Sequence, residues 1–127
     1  MALALTRDGT RLLTATATGP IASGDLVAFI RSEWPNMPPD GDVLFDGRLA
    51  SVRLSAEEVR LLVSETARHR GLARLAIVTD HDLEYGLARM YEIQAAEYAT
   101  VRVFRAIEEA TDWLGPSGGM QAPTVTG

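Results

Sequence analysis

The chain contains no cysteine and no lysine. The first absence removes disulfides, thiolate nucleophiles and cysteine-ligated zinc or iron–sulfur centres, and with them any reason to read a secreted, cross-linked scaffold. The second removes Schiff-base chemistry, since all 12 basic residues are arginine. Long apolar runs are missing as well. Thr, Arg or Asp breaks each one, so no segment reads as a bilayer span. The stretch Met1-Ala2-Leu3-Ala4-Leu5-Thr6-Arg7-Asp8 lacks the basic patch and long apolar core of a signal peptide, and the expected compartment is the cytoplasm. Positive charge is in short supply: 12 basic against 17 acidic residues give a net charge of −5. The arginines are interleaved with Glu and Asp rather than clustered, which argues against nucleic acid as a partner. No Gly-x-Ser-x-Gly elbow, Walker loop or Rossmann fingerprint occurs. No catalytic residue, cofactor or metal is therefore assigned, and the chain is expected not to be an enzyme.

The 127 residues, 46% hydrophobic and 23% charged, suffice for one domain with a core that needs no staples. Leu3 and Leu5, then Asp8-Gly9, then Leu13, Ala15 and Ala17 spell a hairpin whose second arm alternates with Thr14, Thr16 and Thr18 until Gly19-Pro20 ends it. A first helix is expected from Ser23 as N-cap to Trp34, with Leu26, Phe29, Ile30 and Trp34 inward and Pro35 as its stop. A short strand, Val43-Leu44-Phe45, should close at Asp46-Gly47. Ser55-Ala56-Glu57-Glu58 is a capping box that opens a second helix, with Val59, Leu62, Val63 and Thr66 inward, Arg68-His69-Arg70 in its last turn and Gly71 as its end. Leu75–Val78 reads as a strand covered on both faces. A third helix should run from Leu83 to Glu97 with Leu83, Gly86, Leu87, Met90 and Ile93 inward. The strand Val101–Phe104 and a fourth helix, Ala106 to Leu114, complete the order β-β-α-β-α-β-α-β-α. That order implies a mixed sheet with helices packed against it over residues 1–114, followed by a Gly-, Pro-, Ser- and Thr-rich tail, 115–127, expected to be flexible.

Ala76-Ile77-Val78, Tyr85-Gly86-Leu87-Ala88-Arg89-Met90-Tyr91-Glu92 and Val101-Arg102-Val103-Phe104-Arg105, with Glu109-Ala110 and Trp113-Leu114 after them, resemble the bacterial SpoIIAA-like family of the STAS superfamily. The resemblance covers roughly residues 3–114 and implies a four- or five-stranded α/β fold. It also implies a regulatory module that binds a protein partner. In better-understood STAS proteins a serine inside an Asp-Ser-Ser-Gly-like motif opens a helix and is switched by phosphorylation. Asp46 and Ser55 fall near the corresponding positions, but Leu54 precedes Ser55 and Ala56-Glu57 follows it. The motif is absent, and Ser55 reads as an N-cap rather than a phosphorylation site.

Loops after parallel strands gather at one edge of a sheet, where open α/β folds place ligands. Asp46, Asp80, His81 and Asp82 should meet there, and Tyr85 and Arg89 lie in the first turns of the helix that starts there. Tyr85 and Arg89 are spaced to stack, Arg89 and Glu92 to pair, and Tyr and Arg are favoured at protein contacts. Asp80-His81-Asp82 has no third metal ligand close in sequence. Asp80 or Asp82 is expected to cap the helix and His81 to sit in solvent. Two functions remain open: a protein-interaction module, with a second copy of the chain among its candidate partners, or a carrier of a small apolar ligand held between sheet and helices. A closed core favours the first, an apolar pocket with a few polar groups the second.

Overall fold

The computed structural model describes residues 2–9, 11–69 and 74–115. Five strands form one sheet in the order β1 (Ala2–Asp8), β2 (Leu12–Ile21), β3 (Asp42–Val52), β4 (Arg74–Val78), β5 (Thr100–Phe104). β1 runs antiparallel to β2; the other three pairings are parallel. The helices are α1 (Ser23–Glu33), α2 (Ala56–Arg68), α3 (Asp82–Ala95) and α4 (Ile107–Leu114). The mixed α/β architecture and the element order are those expected. Residues 70–73, which include the expected cap Gly71, and the tail from 116 onward lie outside the described residues.

Strand alternation sorts the core into two layers. Leu13, Ala15, Val43 and Leu75 face α1, α2 and α3, where they pack with Phe29, Ile30, Trp34, Val59, Leu62, Tyr91 and Ala95. Leu44, Ala76 and Val78 face the other way, onto Ala110 and Leu114 of α4. Arg74 ties this second layer down. Its guanidinium pairs with Asp42 at 2.8 Å and donates to the Trp113 and Leu114 carbonyls, each at 2.8 Å. It thus satisfies carbonyls that the end of a helix leaves without partners.

Two strands run further than their punctuation suggests. Gly19-Pro20 does not end β2, which continues to Ile21. Among the described residues β1 stops at the level of Thr18, and beyond it β2 has β3 on one side only. A proline without an N–H is tolerated on such an edge. Asp46-Gly47 does not close β3 either. Between the pairs Thr16↔Asp46 and Thr18↔Leu49, β3 spends one more residue than β2, a β-bulge at Gly47 and Arg48. The Asp46 carboxylate accepts from the backbone N–H of Arg48 at 3.2 Å across that bulge. Turn chemistry is present there, and parallel pairing with β2, which resumes at Leu49 and runs to Val52, overrides it.

The helix caps are split. Ser55 caps α2: its hydroxyl accepts from the Glu58 N–H at 3.1 Å while the Glu58 carboxylate accepts from the Ser55 N–H at 2.8 Å. Ser23 does not cap α1. The N-cap is Ala22, whose N–H donates to Asp25 at 2.9 Å, and the Ser23 hydroxyl instead donates to Glu58 at 2.9 Å. Glu58 therefore serves its own cap and ties α1 to α2.

Candidate functional site

α1, α2 and α3 do not close completely on the sheet. A cavity of about 110 Å³ remains, walled by Leu26, Phe29, Phe45, Ile77 and Leu87 among others. The bulge helps to make it. Gly47 is buried there, and a Cβ at that position would stand 3.4 Å from the Val78 carbonyl oxygen. Phe29 sits edge-on to both Trp34 (5.3 Å between ring centroids) and Phe45 (6.1 Å), so the aromatic wall is braced by its own contacts. Glu84 on α3 reaches across to accept from the Val52 N–H at 3.1 Å and binds the end of β3 to the helix.

Two residues that line the cavity each bury a polar atom. The Trp34 indole Nε1 and the Thr79 hydroxyl belong to residues only 2% and 3% exposed, and neither makes a hydrogen bond among the described residues. A third polar group, the Tyr91 hydroxyl, is occupied. It stands 2.6 Å from Thr66 Oγ1, which donates to the Leu62 carbonyl at 2.9 Å. Burial pushes the Tyr91 phenol up to about 12.

Tyr91 marks where the reading of α3 fails. Leu83, Met90 and Ile93 were expected inward, yet Leu83 is 48% and Ile93 65% exposed, Met90 is exposed too, and Gly86 faces open space. The inward stripe is Leu87, Tyr91 and Ala95, with Glu84 and Ala88 at the cavity. Both stripes carry apolar residues at helical spacing. Hydrophobicity alone favours the wrong one because the true inward face spends positions on Glu84, Ala88 and Tyr91.

The loops after β4 and β5 do meet at the edge where the parallel strands end. Asp80 and the His81 imidazole stand 3.6 Å apart, both more than half exposed. Neither aspartate caps α3. His81 occupies the N-cap without a side-chain bond, and Asp82, in the first turn, pairs with Arg105 at 3.0 Å. Arg105 also lies over the Tyr85 ring at 4.1 Å, so the cation stacked on Tyr85 is Arg105 and not Arg89. Arg89 is exposed and pairs with Glu92 at 2.8 Å. Asp46 binds Arg48 through two side-chain hydrogen bonds, 2.9 and 2.8 Å. Those bonds hold its carboxyl below the usual range, and the pair keeps Arg48 protonated, with weaker support from Glu108 and Asp80. The edge is thus a run of paired charges, with Tyr85 half-buried beside it. Among the described residues no three His, Asp or Glu side chains form a group that could hold a metal.

Sequence reasoning missed Arg48, Arg105, Thr79, Glu84 and the free N–H of Trp34. Arg105 and Thr79 each follow directly on a strand, which is a usable signal for edge position. Trp34 reads in the sequence only as core, and nothing local says that its indole finds no acceptor.

No protein-family model and no curated protein matches the chain. Among solved structures it is similar to an uncharacterized protein of the DUF3478 family with a SpoIIAA-like fold from Shewanella loihica PV-4. The two are 19% identical with a TM-score of 0.59, over 90% of this chain and 93% of that one. The likeness shows the fold, which is SpoIIAA-like. Among the described residues no helix is long and apolar enough to cross a membrane.

Proposed function

We propose that this SpoIIAA-like domain is a non-catalytic binding module that takes up a small apolar molecule between its sheet and α1, α2 and α3. One observation carries the reading: an apolar cavity of about 110 Å³ stands between the sheet and the helices, walled by Leu26, Phe29, Phe45, Ile77 and Leu87. Concave, mostly apolar pockets are the usual form of a small-molecule site. The size suits a molecule of roughly one ring, since an apolar cavity of about 150 Å³ holds benzene. Neither histidine lines the cavity, which leaves no imidazole there for acid–base work. Native mass spectrometry of the purified protein, alone and with ethylbenzene, tests the reading. Saturable one-to-one uptake is expected, lost in Ala88→Leu, which fills the cavity from a helical position and should fold normally. Uptake that Ala88→Leu leaves intact would place the ligand elsewhere and overturn the proposal.

A second reading is a protein contact through the strand-end edge and α3, with a second copy of the chain as the first partner to test. It is favoured by Leu83, Met90 and Ile93, an apolar stripe left exposed on one face of α3. Sedimentation of wild type against Leu83→Ser with Ile93→Ser decides it. Self-association that the double variant weakens supports the contact; a monomer at all concentrations removes the homodimer.

A further inference from the structure

A glycine in the interior of an exposed helix weakens it, because it gives up more conformational freedom on folding than any other residue. Gly86 stands inside α3, and nothing in the monomer accounts for it. Its backbone is helical, outside the left-handed region that favours glycine. Among the described residues, a Cβ at position 86 would meet nothing within 4 Å outside the backbone of its own helix. The space over Gly86 therefore opens outward and is not filled from within the fold.

That space lies in the middle of the exposed apolar stripe. Leu83, Gly86, Met90 and Ile93 are all exposed, and they follow one another at spacings of three, four and three residues. Those are the spacings of a seam that receives a second helix at an angle of about 20°. The stripe is also symmetric about the level of Ala88. An antiparallel twofold axis at that level sets Leu83 against Ile93 of a second copy, and Gly86 against its Met90. A long side chain then meets an open space twice, the self-complementarity that a twofold interface requires. A parallel pairing would instead oppose two glycines, which leaves a gap, and two methionines, which collide. Arg89 of the two copies would approach across the antiparallel axis, but each is already paired with Glu92 of its own helix at 2.8 Å. Resting on the protein-contact reading above, we propose that two copies of this chain pair their α3 helices antiparallel, with Met90 of each seated over Gly86 of the other.

Sedimentation and disulfide trapping of the full chain test this, and the absence of native cysteine keeps the trapping clean. Gly86→Met fills the seat and should weaken self-association at least about tenfold. The same variant should raise the melting temperature of the dilute monomer, because methionine is the better helix former. Exchanging the two residues, Gly86→Met with Met90→Gly, should restore association. Leu83→Cys and Ile93→Cys should each stay uncrosslinked alone, since like positions lie about 15 Å apart along the paired helices. Mixed together under mild oxidation, the two should yield a disulfide dimer. Association that Leu83→Ser with Ile93→Ser weakens but Gly86→Met leaves intact would overturn the antiparallel seat and leave the contact reading standing. A crosslink in either single-cysteine variant, or none in the mixture, would do the same. A wild type that is monomeric at all concentrations would overturn both, and the stripe would then belong to a different partner.

Discussion

Thr66→Val should destabilise the domain more than Tyr91→Phe, although the two residues share one hydrogen bond. The reason lies in the direction of the protons. Thr66 Oγ1 is 2.9 Å from the Leu62 carbonyl oxygen, which can only accept, so the single threonine proton is committed there. Tyr91, 2.6 Å from the same Oγ1, must then be the donor in their contact. Tyr91→Phe deletes that donor and leaves Thr66 bonded to Leu62, a loss of one net hydrogen bond, about 1 kcal/mol. Thr66→Val keeps the phenol but strands its O–H inside the core, where an unsatisfied buried group costs about 2 kcal/mol. The double variant replaces both partners with apolar groups of like shape. Its cost should be near that of Tyr91→Phe alone, giving a coupling of about 2 kcal/mol between the sites. Urea unfolding followed by circular dichroism measures all three, and a difference of 1 kcal/mol should appear as roughly 4 °C in Tm. Equal single costs that add in the double variant would refute the proton assignment. The phenol supplies an independent check. Its folded value of about 12 lies above the ordinary 10.0, so its contribution is full below pH 10 and disappears as pH rises through 12. Tyr91→Phe should remove that alkaline loss.

Ser55→Ala should cost about 1 kcal/mol in the same melts, because the Glu58 N–H loses the hydroxyl that caps it; an unchanged midpoint would mean that the hydroxyl does not cap α2. Glu65 is buried and gripped by two Arg31 hydrogen bonds of 3.0 and 2.9 Å, and that grip, with the attraction of Arg31, holds its carboxyl below the usual range despite burial. A depressed folded value means stability that is present above the unfolded value, near 4.5, and lost as pH falls through the folded one. Arg31→Met removes the strongest partner of the carboxylate and leaves His69, 3.7 Å away, and Arg68, so the downward shift should shrink and less stability should be lost as pH drops from 6 to 4 than in wild type. A pH series of urea midpoints that runs parallel for the two proteins would show that Arg31 does not control Glu65.

What the sequence reveals and hides follows from how local each cause is. The capping box at Ser55 is read correctly because its donors and acceptors lie within four residues. Strand alternation in Leu13, Ala15 and Ala17 is equally plain, and all three are fully buried. Gly47 is misread as a turn because the bulge depends on β2, which pairs with β3 on both sides of it from a distant part of the chain. The inward face of α3 is misread because the stripe of Leu83, Met90 and Ile93 is the more hydrophobic one, while Tyr91 is drawn inward by Thr66, 25 residues away. Of the edge residues, Asp80, His81 and Asp82 stand together as their position after β4 implies. Arg105 takes the place beside Tyr85 expected of Arg89, since β5 delivers it to that edge. The cavity itself is invisible in the sequence: it is the space left when packing against the sheet stops short, and no residue type announces it.

Xenon tests whether this space takes an apolar guest without assuming any particular ligand. In a crystal of the full chain under xenon pressure, anomalous scattering should place an atom inside the wall formed by Phe29, Phe45, Ile77 and Leu87. The same crystal form of Ala88→Leu should show that peak reduced or gone. A wild-type crystal in which these side chains meet across the gap, with no xenon between them, would contradict the claim.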